Sequence, residues 1–179
     1  MAQLLVASNC VRVENMDCTD SLVTLQKAWQ ISTRQAHLPA VEQRLQAAAG
    51  LALTRPARTT LLQLSEGGPL HVSDLAAAAG VDVSTMSRTL RQLGASGFIA
   101  REQGEDQRAV RISLTSAGEE AVARLLAAGQ IILRDVLSGW SEDDRDALSR
   151  LMVRFADDFS TYLRQTSNQN REREVESWA

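Results

Sequence analysis

The sequence predicts a mainly α, α+β fold in which one small antiparallel hairpin interrupts a succession of helices. Three observations carry this. Apolar residues recur at helical spacing on both sides of one window. Inside that window "FIARE" and "AVRISL" are strand-like, with Val110, Ile112 and Leu114 alternating with Arg111 and Ser113. Start and stop residues such as Thr54, Asp82, Gly50, Gly80 and Gly97 bound the helical runs. A chain of 179 residues that is 44% apolar can bury a core without metal or disulfide. Its cysteines, Cys10 and Cys18, both lie in the first 20 residues, so no disulfide framework holds the body together, and a reducing cytoplasm fits. The N-terminal apolar run follows no basic residue and is too short for a secretory signal, and nothing nears the ~20 apolar residues of a membrane span.

Residues 1–20 lack periodicity and read as an arm. From Ser21 a helix is predicted, with Leu22, Leu25, Trp29 and Ala36 at helical spacings; Pro39 disfavours helical geometry at Leu38 and breaks it there. A second segment, "VEQRLQAAAG", closes at Gly50. Thr54 as N-cap, Pro56 in the first turn and Gly67-Gly68 as stop place a helix at 55–66. "LHV" is a very short extended piece. "SDLAAAAG" is a two-turn helix capped by Ser73 and ended by Gly80, and Asp82 caps a helix running to about Ser96 with Gly97 as its stop.

The polar connection "QGEDQR" makes the two strands a hairpin with a protruding loop. Thr115 or Ser116 then caps "AGEEAVARLLAAGQIILRDVL", which ends near Ser138-Gly139. The last long helix begins at Ser141, with Glu142, Asp143 and Asp144 in its first turn complementing the helix dipole. Leu148, Leu151, Met152, Phe155, Phe159, Tyr162 and Leu163 form the cleanest amphipathic stripe in the chain. The tail "TSNQNREREVESWA" reads as polar and frayed, with Val175 and Trp178 spaced to dock.

The helix after Asp82 has two faces. Met86, Leu90 and Leu93 form a stripe for a core, whereas Ser84, Ser87, Arg88 and Arg91 lie on a different face, available to a partner. Two short helices joined by a tight turn at Gly80, the second displaying Ser and Arg, followed by a hairpin, describe a winged helix-turn-helix with a two-stranded wing. Such a helix fits the DNA major groove, where arginine can donate two hydrogen bonds to guanine. The wing loop can place Arg108 in the minor groove. The net charge of −3 gives no global attraction for a polyanion. Residues 84–111, however, hold five arginines against three acids, so local, salt-sensitive binding is expected.

The run from Leu53 to Gly118 resembles the MarR family of bacterial transcription regulators. The matching features are the "LT" opening, "LAAAAGVDVSTMSRTLRQL" through two helices, "GFIAR" entering the wing, "DQR" as the family's D-x-R, and "LTSAG" leaving it. The resemblance implies a homodimer with intertwined terminal helices whose two winged lobes straddle a pseudo-palindromic operator, most often as a repressor released by an effector. Its carry-over marks Ser84, Ser87, Arg88 and Arg91 as recognition-helix contacts, Thr85 as a phosphate neighbour and Arg108 as the wing arginine. Asp106 matches the aspartate that orients a nearby arginine, and Arg101 and Arg111 read as phosphate neighbours. The implied organisation is an arm (1–20), N-terminal dimerisation helices (21–50), the winged domain (51–118), C-terminal dimerisation helices (119–165) and a polar tail (166–179). An unpartnered terminal helix bearing two Phe, a Tyr and several Leu would be a liability, which supports the dimer independently.

No cofactor is required; a small-molecule effector or a metal ion is the candidate regulator. Relatives bind small aromatic acids beside the dimerisation helices, and Trp29, Arg34 and His37 could line such a cleft, although core packing explains Trp29 and a helix-end position explains His37. Some relatives sense oxidants through a cysteine. Here Cys10 and Cys18 are the candidates, but Asp17 and Asp20 beside Cys18 discourage its thiolate. Metal-ligand spacings such as H-x-x-x-H and C-x-x-C are absent from the sequence. An enzyme is the alternative of a different class, and the sequence argues against it, with no G-x-G-x-x-G, P-loop, G-x-S-x-G or H-E-x-x-H motif. The alternative is a winged-helix protein-interaction module, whose outward helix face would be apolar or acidic.

Overall fold

Helices and three short strands alternate in the computed structural model, which describes residues 20–103 and 110–177. Their order is α1 (Ser21–Ala36), α2 (Pro39–Ala49), α3 (Arg55–Gly67), β1 (Leu70–His71), α4 (Val72–Ala79), α5 (Val83–Ala95), β2 (Ile99–Gln103), β3 (Val110–Leu114), α6 (Ser116–Val136) and α7 (Glu142–Ser177). The fold is mainly helical with one small antiparallel sheet, as the sequence predicts. By its contacts the chain divides into two compact units, one ending at Ala128 and one beginning at Gly129.

In the first unit the break between α1 and α2 falls at Leu38, which is extended (φ −66°, ψ 139°) because Pro39 follows it at the start of α2. Gly50 ends α2 in the left-handed region (φ 61°). The carbonyls at this terminus are capped from a distance: Arg124 Nε donates to the Ala49 carbonyl and Nη2 to that of Gly50, each at 2.8 Å. Arg58 pairs with Glu42, holding that carboxyl below its usual range and tying α3 to α2.

The core lies where α3, α4, α5 and β3 meet. Leu61, Leu75, Met86 and Ile112 are fully buried, and α6 adds Ala121, Val122, Leu125 and Ala128. Each large side chain so buried contributes about 1.5–3 kcal/mol. At the start of α6 the Thr115 hydroxyl accepts from the Gly118 N–H at 3.1 Å and donates to the Gly97 carbonyl at 2.6 Å, so Thr115 is the cap.

Four expectations change. The sheet has three strands in the order β1-β3-β2, because Leu70 and His71 pair with Ile112 and Arg111. Two residues are too short to show periodicity, and their partner lies far along the chain. Ser73 does not cap α4. The helix starts directly from β1, so the cap position falls on His71, and the Ser73 hydroxyl donates to Asp74 at 3.4 Å. In β3 the alternation shifts, with Val110 40% exposed and Ser113 only 8%. Val110 pairs with Gln103 at the far end of the hairpin, past the reach of the core.

The fourth change is in the second unit, where α7 runs through the polar tail to Ser177. No Gly or Pro follows Gly139, and Arg, Glu and Gln sustain a helix. The Ser141 hydroxyl accepts from the Asp144 N–H at 3.1 Å and starts it. Phe155 and Phe159 stack on α7 with ring centroids 5.8 Å apart. Leu151, Met152, Phe155, Phe159, Tyr162 and Leu163 are all exposed. Among the described residues no helix is long and apolar enough to cross a membrane.

Candidate nucleic-acid interface

Helix α5 is held at its start by one carboxylate. Asp82 Oδ1 accepts from the Thr85 N–H at 2.8 Å, its Oδ2 accepts from the Thr85 hydroxyl at 2.6 Å, and the Ser84 hydroxyl also donates to Oδ1. The Ser84 and Thr85 hydroxyl bonds, with the Thr85 N–H, hold this carboxyl well below the usual carboxylate range. The turn from α4 is made at Gly80 (φ 64°), and the Val81 N–H returns to the Ala76 carbonyl at 3.1 Å. Met86, Thr89, Leu90 and Leu93 then bury one side of α5. The Thr60 hydroxyl, itself fully buried, donates to the Pro56 carbonyl at 2.8 Å and lies 3.6 Å from Met86 Sδ, where α5 packs on α3; the buried stripe sets the rotation of α5.

That rotation decides what faces out. Ser84, Thr85, Arg88 and Arg91 are exposed and Ser87 is half-buried. Ser84 and Thr85 are not idle donors, since both hydroxyls are engaged by Asp82; the outward face free of internal bonds is that of Ser87, Arg88 and Arg91. An Asp followed two and three residues on by Ser and Thr is a local pattern that signals this competition for the hydroxyls.

The sheet adds two more arginines. Arg111 lies in the central strand between His71 of β1 and Glu102 of β2, and Arg101 lies opposite Ile112. Both arginines are exposed. Among the described residues neither they nor Arg88 and Arg91 form a salt bridge. The place of His71 beside Arg111 follows from a two-residue strand too short to show in the sequence pattern. Arg108 and Asp106, in the wing loop, and Cys10 and Cys18, in the N-terminal arm, lie outside the described residues.

Trp29, Arg34 and His37 all belong to α1 or its C-terminal end. All three are exposed on or at the end of α1, and five residues of helix turn Arg34 about 140° away from Trp29. His37 is the C-cap of α1, its Nδ1 against the Thr33 carbonyl. Among the described residues no three His, Cys, Asp or Glu side chains gather where a metal could bind.

A short helix, a tight turn, a second helix locked on a core with arginines facing out, and an antiparallel hairpin define a winged helix-turn-helix protein. The profile of the MarR family matches residues 53–110, which span α3 through the start of β3. Members of the family are transcription regulators and not enzymes. The chain is 26% identical over 88 residues to the uncharacterized HTH-type transcriptional regulator YwoH and 30% identical over 99 residues to YfiV, both of Bacillus subtilis (strain 168). These matches cover 49% and 55% of this chain and 64% and 62% of the relatives, so the chain spans less than two thirds of either. A MarR family protein from Bacillus stearothermophilus shares the fold, with a TM-score of 0.65 at 20% identity over 79% of this chain and 98% of its own.

Proposed function

We propose that this protein is a DNA-binding transcription regulator that reads a pseudo-palindromic operator as a homodimer and acts as a cytoplasmic repressor released by an effector. The observation that carries the reading is the outward face of α5, where Arg88 and Arg91 are exposed without an ion pair among the described residues while Met86, Leu90 and Leu93 anchor the opposite side. Arginine so presented suits guanine edges in the major groove, with Ser87 beside it for a base edge or phosphate. Ser84 and Thr85 reach DNA only by giving up a bond to Asp82. Arg101 and Arg111 take phosphates, and Arg108 takes the minor groove with Asp106 orienting a neighbouring arginine.

Residues 51–118 form the DNA-binding part, and residues 21–50 and 119–165 the dimerisation part. Support for the dimer comes from exposed apolar side chains: Leu22, Leu25 and Trp29 on α1 in the first unit, and the α7 stripe in the second. Two recognition helices related by a two-fold axis read half-sites about one helical turn apart. An effector releases DNA only by binding the two conformations of the dimer unequally.

The test is selection of bound fragments from a random duplex library by the purified protein, then a salt titration on the winner. An inverted repeat with steep salt dependence is expected. No enrichment by the folded protein would overturn the reading in favour of a protein-interaction module.

A further inference from the structure

A cavity of about 390 Å³ opens within the first unit, between the C-terminal end of α3, the turn into β1, the end of β3 and the first turns of α6. Its volume is in the range of small-molecule sites. Leu64, Pro69, Leu114 and Val122 give it apolar walls, and Leu64 and Val122 are themselves buried parts of the core. Three polar side chains line it, of which Ser65 already donates its hydroxyl to the Leu62 carbonyl at 2.7 Å. Ser113 is 8% exposed, and its hydroxyl has no hydrogen-bond partner among the described residues, which leaves it available to a bound molecule. Glu119, in the first turn of α6, lines the cavity and has no ion pair among the described residues. No Lys, Arg or His lines the cavity.

We propose that this cavity is a binding site for a small apolar molecule carrying a protonated amine, the ring or chain lying against Leu64, Leu114 and Val122, the ammonium on the Glu119 carboxylate and the Ser113 hydroxyl completing its hydrogen bonds. The charge of the lining decides the class. A carboxylic acid would meet Glu119 with a like charge and find no cation, whereas an ammonium gains a charge-assisted hydrogen bond. The ligand is therefore opposite in sign to the aromatic acid expected beside Trp29, Arg34 and His37, and its place in the fold is different.

The site sits where movement would reach the wing. Ser113 and Leu114 end β3, the central strand that carries Arg111, and the next residue, Thr115, bonds the Gly97 carbonyl at the turn between α5 and β2. The existence of the site stands apart from DNA binding. Only its regulatory effect rests on the function proposed above, so binding is measured first on the free protein.

Calorimetric titration of the full chain with phenethylamine, phenethyl alcohol and hydrocinnamate, which share a ring and differ in charge, tests the proposal. Phenethylamine is expected to bind saturably and to raise the melting temperature, with hydrocinnamate about tenfold weaker or worse. Glu119→Gln, an exposed change that leaves the core intact, is expected to bring the amine down to the alcohol. Ser113→Val, checked for an unchanged circular dichroism spectrum, is expected to weaken both. No saturable amine binding, equal binding of the acid, or an amine affinity untouched by Glu119→Gln would each overturn it. If the amine binds as expected, addition to the DNA complex reads the regulatory effect separately.

Discussion

Thr85 is bonded twice to Asp82, through its backbone N–H at 2.8 Å and its hydroxyl at 2.6 Å, so the first turn of the outward-facing helix is tied off by the residue that precedes it. These bonds, with that from Ser84, favour the charged carboxylate and depress its proton affinity in the folded state. In acid the unfolded chain therefore binds the proton that the folded chain resists, and stability from this group rises with pH. It is fully present above the ordinary carboxylate value of about 3.9 and is lost as pH falls toward the lower folded value. Asp82→Ala should lower the urea midpoint at neutral pH, with the gap from the parent protein narrowing in acid. A gap constant across pH would show that the carboxylate charge is not what holds the turn.

Two glycines in helices should respond to alanine in opposite directions. A Cβ at Gly118 would stand 2.0 Å from the Phe98 carbonyl oxygen, a backbone atom that cannot step aside, whereas one at Gly94 meets nothing within 4 Å. Gly118→Ala should destabilise by about 1–3 kcal/mol through overpacking. Gly94→Ala should stabilise by about 0.5–1 kcal/mol through helix propensity. Denaturant unfolding of the two variants beside the parent settles both signs.

Most of this architecture is legible in the sequence, for local reasons. Thr54, Gly50, Asp82 and Gly80 set their helix ends where capping chemistry puts them, and the α5 stripe of Met86, Leu90 and Leu93 is buried as its spacing requires. What escaped depends on partners distant in the chain. Leu70 and His71 become a strand only because β3 lies alongside, and Ser113 is buried against the expected alternation as the strand passes the cavity. The outward arginines are identifiable by period alone. That Ser84 and Thr85 are already engaged required the geometry of the Asp82 carboxylate.

On the proposed function, the arginines divide into a reader and holders. Arg88→Ala should weaken specific DNA binding by about 1–3 kcal/mol and relax discrimination at one base position. Arg111→Ala, on the sheet, should weaken binding evenly across sequences and reduce the salt slope by about 1. Arg108→Ala should weaken binding with little change in major-groove preference. Competition binding on the selected site and single-base variants separates these patterns; a uniform loss in Arg88→Ala would remove α5 from base readout.

The stacked pair Phe155 and Phe159, each 42% exposed, lies in the middle of a stripe that also includes Leu151, Met152, Tyr162 and Leu163. Burying a side chain of this size contributes about 1.5–3 kcal/mol, so a stripe of six is a large stabilisation left unused in one copy. A second copy related by two-fold symmetry can cover it with the same stripe, since an isologous contact needs only self-complementarity. Phe155→Asp would place a charge at the centre of that contact, where it could be neither paired nor hydrated. The variant should elute as a monomer in size-exclusion chromatography with light scattering, at concentrations where the parent is a dimer. Because Phe155 lies on an exposed face of α7, the helix content of the monomer should persist outside any loss that follows from dissociation. A Phe155→Asp protein that still elutes as a dimer would place the interface elsewhere, on α1 or the C-terminal part of α6.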